Sequence, residues 1–589
     1  LNDIDLIINK FENQRFCDKE NGKTTGVFYT PWNFVDFIVS NSFKLYFEKY
    51  FNNLSDPRMK MDPNRILHLL NKKKNLGSNL KSEISNIKIL DPASGSGRFL
   101  MTTADYLFNI YKLVNENQSD YLIKKKIIQN HIYGIDIDED ANIISNLRLI
   151  NWLYYGTNSD ISYEMSSDLT FSDIRKELSQ LDVKCQIFNK DFLLDFNQKG
   201  FDIILGNPPY VENKKITDKN YKKKLYNKFE SAYKLFDLSV VFIEKSIKIL
   251  TPKKGILSFL TPNKFLAADY GIKIRKFILD NAHIQEIINI SSLNSFKHTS
   301  TYPIILFLKK GGSHSNFLSI QEFENIQQLD NHKGSKFYTF SQDMIRNFPS
   351  CTIPLSTNIE LIDRVYSKHD TLSENLKDLK IIYRPFGFVN WKNQSKYITG
   401  KKSSVRDMIL LGTGNINRYC IDFNKPIKVA KNRYIHPFFS YNKRYKDIWN
   451  TLSSEKLIFR EIAKDLSFVY DPGIIVNLTG LYFLKISSYN TNQLFSLLAI
   501  LNSKLINTLY KSLFGTLHMS SGYLRFNGSF IKKLPVPKKI PLIISTLGRI
   551  LHFLYQLRLE LIKQSKLLKL IEINPDKFTL LLDFYENLT

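Results

Sequence analysis

The tetrapeptide Asn207-Pro208-Pro209-Tyr210 is where residue type and spacing say most about chemistry. It leaves an apolar run, residues 201–205, that reads as a buried strand. An amino group on an aromatic base is a poor nucleophile because its lone pair is delocalised into the ring. Hydrogen bonds accepted from both of its N–H groups make that lone pair available. The Asn207 side-chain oxygen and the Pro208 carbonyl are two such acceptors, held on extended backbone by the prolines. Tyr210 adds an aromatic face, and stacking there is worth about 1–3 kcal/mol per base. A structural Xaa-Pro-Pro turn is the competing reading, and the residues upstream weigh against it.

Asp91-Pro92-Ala93-Ser94-Gly95-Ser96-Gly97-Arg98-Phe99 reads as a glycine-bearing turn from strand to helix. Gly95 and Gly97 let backbone approach a ligand, and Asp91 offers a carboxylate to a cationic group such as an ammonium. Tyr133-Gly134-Ile135-Asp136-Ile137-Asp138 ends a second strand with an acid placed to accept from both hydroxyls of a ribose. Asp136 is favoured over Asp138, which is as well placed to cap the next helix. Asn189-Lys190-Asp191-Phe192 supplies a carboxylate for an adenine amino group and a ring for its face, although a turn Asp before a core Phe would look the same.

These motifs need elements that present them on one edge. Residues 87–90, 132–137 and 201–205 read as strands, and 98–113 as a helix, with further strands at 255–260 and 302–308 and a helix at 236–250. Strands separated by helices imply a parallel sheet. Beyond Gly312 the alternation fades, and 350–540 mixes short strand-like runs with aromatic and basic residues, as a second domain would. Residues 541–570 carry apolar positions at helical spacing, expected to pack as a long helix on that domain.

At 589 residues with 43% hydrophobic side chains, the chain is long enough for two or three cored domains. Its net charge of +26 points to a polyanionic partner, nucleic acid first, although abundant lysine can also reflect coding bias. Four scattered cysteines, Cys17, Cys185, Cys351 and Cys420, suit neither a disulfide framework nor a metal knuckle, so no metal is expected. No apolar run is long enough for a membrane span, and the start lacks a secretory pattern, so the expected location is cytoplasmic. The first residue, Leu1, is not an initiator methionine, which leaves open something upstream.

Together the motifs resemble the amino-methyltransferases that act on DNA, in particular the gamma group of N6-adenine enzymes. They are similar to the TaqI-type methyltransferases and to the modification half of fused restriction-modification proteins. The resemblance implies a Rossmann-like S-adenosylmethionine-dependent methyltransferase α/β sheet, then a mixed α+β target-recognition domain and C-terminal helices. It implies cofactor contacts from Tyr29, Thr30 and Pro31 of Gly26-Val27-Phe28-Tyr29-Thr30-Pro31, from Asp91, Ala93, Gly95 and Gly97, and from Asp136, Ile137, Asp191, Phe192 and Asn207. Asn207, Pro208 and Tyr210 would be catalytic, with Phe296 covering the other face of a flipped adenine. Segments 498–503 and 526–535 look like parts of the TaqI-type recognition domain.

On this reading 1–80 is an N-terminal helical segment with a cofactor motif, 81–345 the catalytic domain, 346–540 the recognition domain and 541–589 a C-terminal helical segment. The partner is double-stranded DNA and no membrane, in a prokaryotic, nucleoid-associated setting. Lys214 and Lys215, which open a lysine-rich stretch with Lys219, Lys222, Lys223 and Lys224, are expected on phosphate. Arg418, Arg433 and Arg444, each followed by a tyrosine, are expected on DNA. The first alternative is a fused restriction endonuclease-methyltransferase or its fragment; the residues before Tyr29 show no PD...(D/E)xK pattern, so this chain is expected to methylate without cutting, with a restriction subunit or nuclease domain outside it left open. A protein-glutamine or RNA methyltransferase is the second, and a non-catalytic DNA-binding subunit the third.

Overall fold

The computed structural model describes residues 3–17, 30–48, 78–114, 118–154, 170–293, 302–311, 316–330, 334–387, 395–429, 432–515 and 522–567. The chain divides into two compact units, the first of residues 1–346 with 350–353, the second of 347–349 with 354–589.

In the first unit, short apolar runs form the sheet: β1 (Ile89–Asp91), β2 (Ile132–Asp136), β3 (Gln186–Asn189), β4 (Ile203–Gly206), β5 (Ile256–Pro262), β6 (Ala282–Asn289), β7 (Pro303–Lys310), β8 (Phe317–Glu322) and β9 (Lys336–Ser341). Their order is β3-β2-β1-β4-β5-β7-β6-β8-β9. β1, β4 and β5 are buried along their whole length. That is why they read as continuous apolar runs rather than alternating ones: both faces are covered. Strands β3, β2, β1, β4 and β5 are parallel, and the order reverses between β1 and β4, so ligands are expected beyond the carboxyl ends there.

The parallel sheet expected from the sequence is therefore only half of the sheet. β7 runs antiparallel to both β5 and β6, and β9 is antiparallel to β8. The connection from β6 to β7 contains no crossover helix among its described residues, and antiparallel neighbours need none. β3, β6, β8 and β9 were not anticipated as strands. β3 is a half-exposed edge, and β6 shifts register between Ile284 and Glu286 with polar Gln285 inside it, which breaks the alternation.

The helices that matter for the site are α1 (Asp3–Cys17), α2 (Trp32–Phe47), α3 (Arg98–Val114), α4 (Glu139–Tyr154), α5 (Lys219–Lys228) and α6 (Leu238–Ile249). α1 lays Ile4, Ile7, Ile8 and Phe11 against Ile143, Ile144 and Leu147 of α4. α2 begins at Pro31, whose carbonyl accepts from Phe34 and Val35, and inserts Phe34, Val35 and Ile38 fully into the core. Each such side chain is worth about 1.5–3 kcal/mol of burial. Asp218 and Asp237 cap α5 and α6 by accepting the first backbone N–H groups.

The second unit holds an antiparallel sheet ordered Leu379–Tyr383, Leu481–Ile486, Lys456–Arg460, Phe468–Asp471. A smaller sheet joins Ile398–Thr399, Phe438–Phe439, Met408–Leu410 and Ile475–Val476. Ile458, Val469, Phe483 and Trp449 lie in their shared core. The long helix Leu542–Leu567 packs on Thr491–Leu501, and Gly548 is what lets it approach: a Cβ there would stand 2.2 Å from the Phe495 carbonyl oxygen. A mid-helix glycine costs about 0.5–1 kcal/mol relative to alanine, offset here by that close packing.

Candidate functional site

The motifs of β1, β2, β3 and β4 meet at one cavity of about 310 Å³ in the first unit, within the range of about 300–1,000 Å³ usual for small-molecule sites. Thr30, Ala93, Gly95, Asp136, Ile137, Asp191, Phe192 and Asn207, all picked from the sequence, line it. Pro31, Asp91, Gly97, Pro208 and Tyr210 are not among the lining residues. Tyr29 and Phe296 lie outside the described residues.

The glycine turn is held from several sides. Gly95 N–H donates to Asp136 Oδ2 at 2.9 Å, and Asp136 Oδ1 accepts from Asp138 N at the same distance. Burial pushes the Asp136 carboxyl up, against those two N–H groups, which favour its charged form. Asp138 also lines the cavity, but its Oδ1 accepts from Asp140 N at 3.0 Å in the first turn of α4. From α4, Ser145 donates to the Gly95 carbonyl and Arg148 Nε to the Ser96 carbonyl, both at 2.7 Å.

Asp91 stands behind the cavity wall, 1% exposed. Its Oδ1 accepts from Ala93 N at 3.1 Å, while Oδ2 is buried without a hydrogen-bond partner. Burial, with the Asp136 charge added and the Ala93 N–H opposing, pushes this carboxyl up to about 8. A cationic ligand group reaching it would meet an unsatisfied acceptor. Gly206, directly before the tetrapeptide, has φ +147°, and a Cβ there would stand 2.5 Å from Asp91 Oδ1. Only glycine fits that turn beneath the carboxylate.

At the tetrapeptide, the Asn207 amide donates from Nδ2 to the Thr30 hydroxyl at 3.1 Å. That bond holds the amide at the cavity edge with its Oδ1 as the acceptor end. Tyr210 is half-buried with its hydroxyl inside. Burial, then the Asp237 charge, pushes that phenol well above its ordinary value, so Tyr210 offers a neutral ring and no acid–base group.

Asp191 takes both readings at once. It lines the cavity, and its Oδ1 accepts from Leu193 N at 2.6 Å and Leu194 N at 3.0 Å, closing its own turn. Phe192 is 3% exposed and packs against Phe242 of α6, with ring centroids 5.1 Å apart. Lys245 of α6 lies 4.9 Å over the Phe192 ring and donates to the carbonyls of Leu193 and Phe196. Ile137 is 75% exposed at the rim, an apolar surface that a flat ligand ring would cover.

Sequence reasoning missed Glu12. This residue of α1 accepts from Ser96 Oγ, from Arg98 Nε at 3.0 Å and from Arg148 Nη2 at 2.7 Å, and it pairs with a second Arg98 nitrogen. Arg98 Nη1 in turn donates to the Thr30 carbonyl at 2.9 Å, and both guanidinium groups lie over the Trp32 ring, at 5.0 and 5.3 Å. One carboxylate thus ties together the glycine turn, α4 and the backbone of the residue that holds Asn207. Burial raises the Glu12 pKa, but the Arg98 and Ser96 hydrogen bonds and the two arginine charges outweigh it, leaving the group below its ordinary value. Its partners lie 84 to 136 residues away, so no local pattern marks it. Tyr221, Leu238 and Phe242 are lining residues that were also missed.

The expected DNA contacts divide. Lys214 and Lys215 are exposed just beyond the tetrapeptide. In the second unit Arg433 and Arg444 are exposed, Arg444 lying 5.7 Å over Tyr445. Arg418 is half-buried and donates to the Asn502 carbonyl, which commits part of its fork to the fold. Among the described residues no helix is long and apolar enough to cross a membrane.

Comparison with known proteins matches residues 130–296 to the Eco57I restriction-modification methylase family and residues 407–536 to the TaqI-like C-terminal specificity domain. The type II restriction enzyme and methyltransferase RM.Eco57I of Escherichia coli is 30% identical over 318 residues, 49% of this chain and 31% of that protein. The type II methyltransferase M.HindII of Haemophilus influenzae is 25% identical over 314 residues, 52% of this chain and 57% of that protein. The chain thus spans less than two thirds of either relative. Among solved structures, the type IIL restriction-modification enzyme MmeI in complex with DNA aligns with 97% of this chain and 77% of its own, at TM-score 0.53 and 14% identity, which is a likeness of fold.

Proposed function

We propose that this chain, which joins an Eco57I-type methylase segment to a TaqI-like specificity segment, is an S-adenosylmethionine-dependent DNA methyltransferase acting on N6 of an adenine turned out of the duplex. The observation that carries the reading is Asn207 at the carboxyl end of β4, lining the cavity with its amide hydrogen-bonded to Thr30. The site fits the cofactor: Asp136 for ribose hydroxyls and Phe192, Phe242 and Ile137 for an adenine ring line the cavity, and Asp91 behind its wall holds a buried acceptor without a partner for an ammonium. S-adenosylmethionine bound there supplies an electrophilic methyl group.

The chain's own residues prepare the acceptor. The Asn207 Oδ1 and the Pro208 carbonyl accept from the two hydrogens of the base amine, returning its lone pair to the nitrogen. The Tyr210 ring stacks on the base and helps offset the cost of unstacking it, a few kcal/mol. Lys214, Lys215, Arg433 and Arg444 supply charge to phosphates, and the second unit carries sequence choice. The tetrapeptide provides acceptors for an exocyclic amine and no nucleophile for a ring carbon, which favours an amino acceptor over cytosine C5, and the order of the motifs, similar to that of the gamma N6-adenine enzymes, favours adenine over the cytosine amine.

A related reading has this chain as the methylating part of a longer restriction-modification protein. The E. coli relative, a restriction enzyme and methyltransferase in one chain, of which 31% is matched, favours it. The test of the main reading is incubation with methyl-tritiated S-adenosylmethionine and unmethylated genomic DNA, followed by digestion to nucleosides. Label in N6-methyladenine supports it, and label in cytosine, RNA or protein overturns it. Magnesium-dependent cleavage by the longest natural product tests the second.

A further inference from the structure

We propose that α5 is a cover on the cofactor cavity that senses nucleic acid: Tyr221 closes the adenine end, and lysines on the helix's other face hold phosphate. DNA and S-adenosylmethionine then bind with positive coupling. The inference rests on the methyltransferase reading and adds a cofactor contact and a link between the two substrates.

Three observations carry it. First, Tyr221, in the first turn of α5, lines the cavity beside Asp191, and burial with the nearby Asp191 charge pushes its phenol up. Asp191 Oδ1 itself closes the turn of that loop through Leu193 N and Leu194 N, so Tyr221 stands against a loop already fixed at the cavity edge. Second, the far end of α5 is pinned to the same loop, where Lys228 donates to the carbonyls of Leu193 at 2.9 Å and Leu194 at 3.1 Å. Tyr221, buried Leu225 and Lys228 fall at i, i+4 and i+7, one face of the helix, and that face is the one attached to the adenine-side loop.

Third, the opposite face is unpaired positive charge. Lys219 and Lys223 stand two residues either side of Tyr221, about 160° round the helix from it, and both are exposed, as is Lys224. α5 contains five lysines and no acidic residue, and among the described residues no carboxylate forms an ion pair with Lys219, Lys222, Lys223 or Lys224. Like charges at i and i+4, as at Lys219 and Lys223, oppose the helix. A phosphate backbone relieves that repulsion, firms the helix and with it the Tyr221 wall. The sequence alone shows only a lysine-rich stretch; the pinning of its inner face to the cavity loop is visible only in three dimensions.

The experiment is calorimetric titration of S-adenosylhomocysteine into the full chain, with and without saturating sheared genomic DNA. The expected result is about fivefold or more tighter binding with DNA, in the range usual for coupled sites. The variant with Lys219→Glu and Lys223→Glu loses that tightening. Tyr221→Ala weakens binding by about tenfold, and Tyr221→Phe, which keeps the ring and the fold, by a smaller factor. If wild type binds S-adenosylhomocysteine but DNA leaves the affinity unchanged, or if the charge-reversed variant is tightened as much as wild type, this inference is overturned alone. Wild-type affinity in both Tyr221 variants overturns it as well. If wild type binds no S-adenosylhomocysteine at all, the functional reading falls and takes this one with it.

Discussion

Replacing Glu12 by alanine removes the shared partner of two arginines. Arg148 and Glu12 side chains are each 8% exposed and Arg98 is 19% exposed, so the charges left behind are largely shielded from water. Breaking a buried ion pair by deleting one partner costs about 3–5 kcal/mol, and the residual exposure of Arg98 places this case near the lower end, at about 3 kcal/mol. Two guanidinium groups about 5 Å over one indole would then repel, and both contact the backbone that shapes the site, at Thr30 and Ser96. The variant should unfold about 3 kcal/mol more easily in denaturant titration and bind S-adenosylhomocysteine at least about tenfold more weakly, since tenfold needs only about 1.4 kcal/mol. Glu12→Gln, which keeps an acceptor for Ser96, should lose less. Because the folded-state pKa of Glu12 is lowered, its stabilisation is complete above the ordinary glutamate value and declines as pH falls through the folded one. Wild type should therefore lose stability below about pH 4.3 more steeply than Glu12→Gln. Wild-type stability and wild-type ligand affinity in Glu12→Ala would refute the reasoning, because they would mean that the arginines re-pair freely and that α1 does not hold the glycine turn.

Three further outcomes are expected. Gly206→Ala should abolish methyl transfer and ligand binding, since its Cβ would sit 2.5 Å from Asp91 Oδ1; a folded, active variant would show that the turn relaxes. Burial raises the Asp91 carboxyl to about 8, so a cationic ligand that reaches it should release protons on binding at pH 7, read by calorimetry in buffers of different ionisation enthalpy. Asp91→Asn should release none of them. Arg433→Ala and Arg444→Ala should each lower the slope of log affinity for DNA against log salt by about 0.9, and an unchanged slope would remove that residue from the phosphate contacts.

The parts of the site that were legible are those where local sequence dictates position. A glycine turn after β1, an acid at the end of β2 and a proline-locked exit from β4 must all lie on the carboxyl edge of a parallel sheet, and there they do line or back one cavity. The parts that were not legible depend on partners distant in sequence. Glu12 lies in an ordinary amphipathic helix, and only the packing of α1 on α4 brings it to Arg148. Tyr221 is masked by its lysines, and β6 by the polar residues at its register shift. Arg418 shows the converse: an arginine beside a tyrosine suggested DNA, but one of its donors serves the Asn502 carbonyl.

Single-turnover methylation of duplex DNA by wild type and Asn207→Ala, with the labelled nucleoside identified, tests the account most directly. The account predicts label on N6 of adenine and a rate at least about 100-fold lower in the variant, the usual effect of losing one preorganised hydrogen-bonding group at a reacting centre. Wild-type rate in Asn207→Ala, or label on any other base, would contradict it.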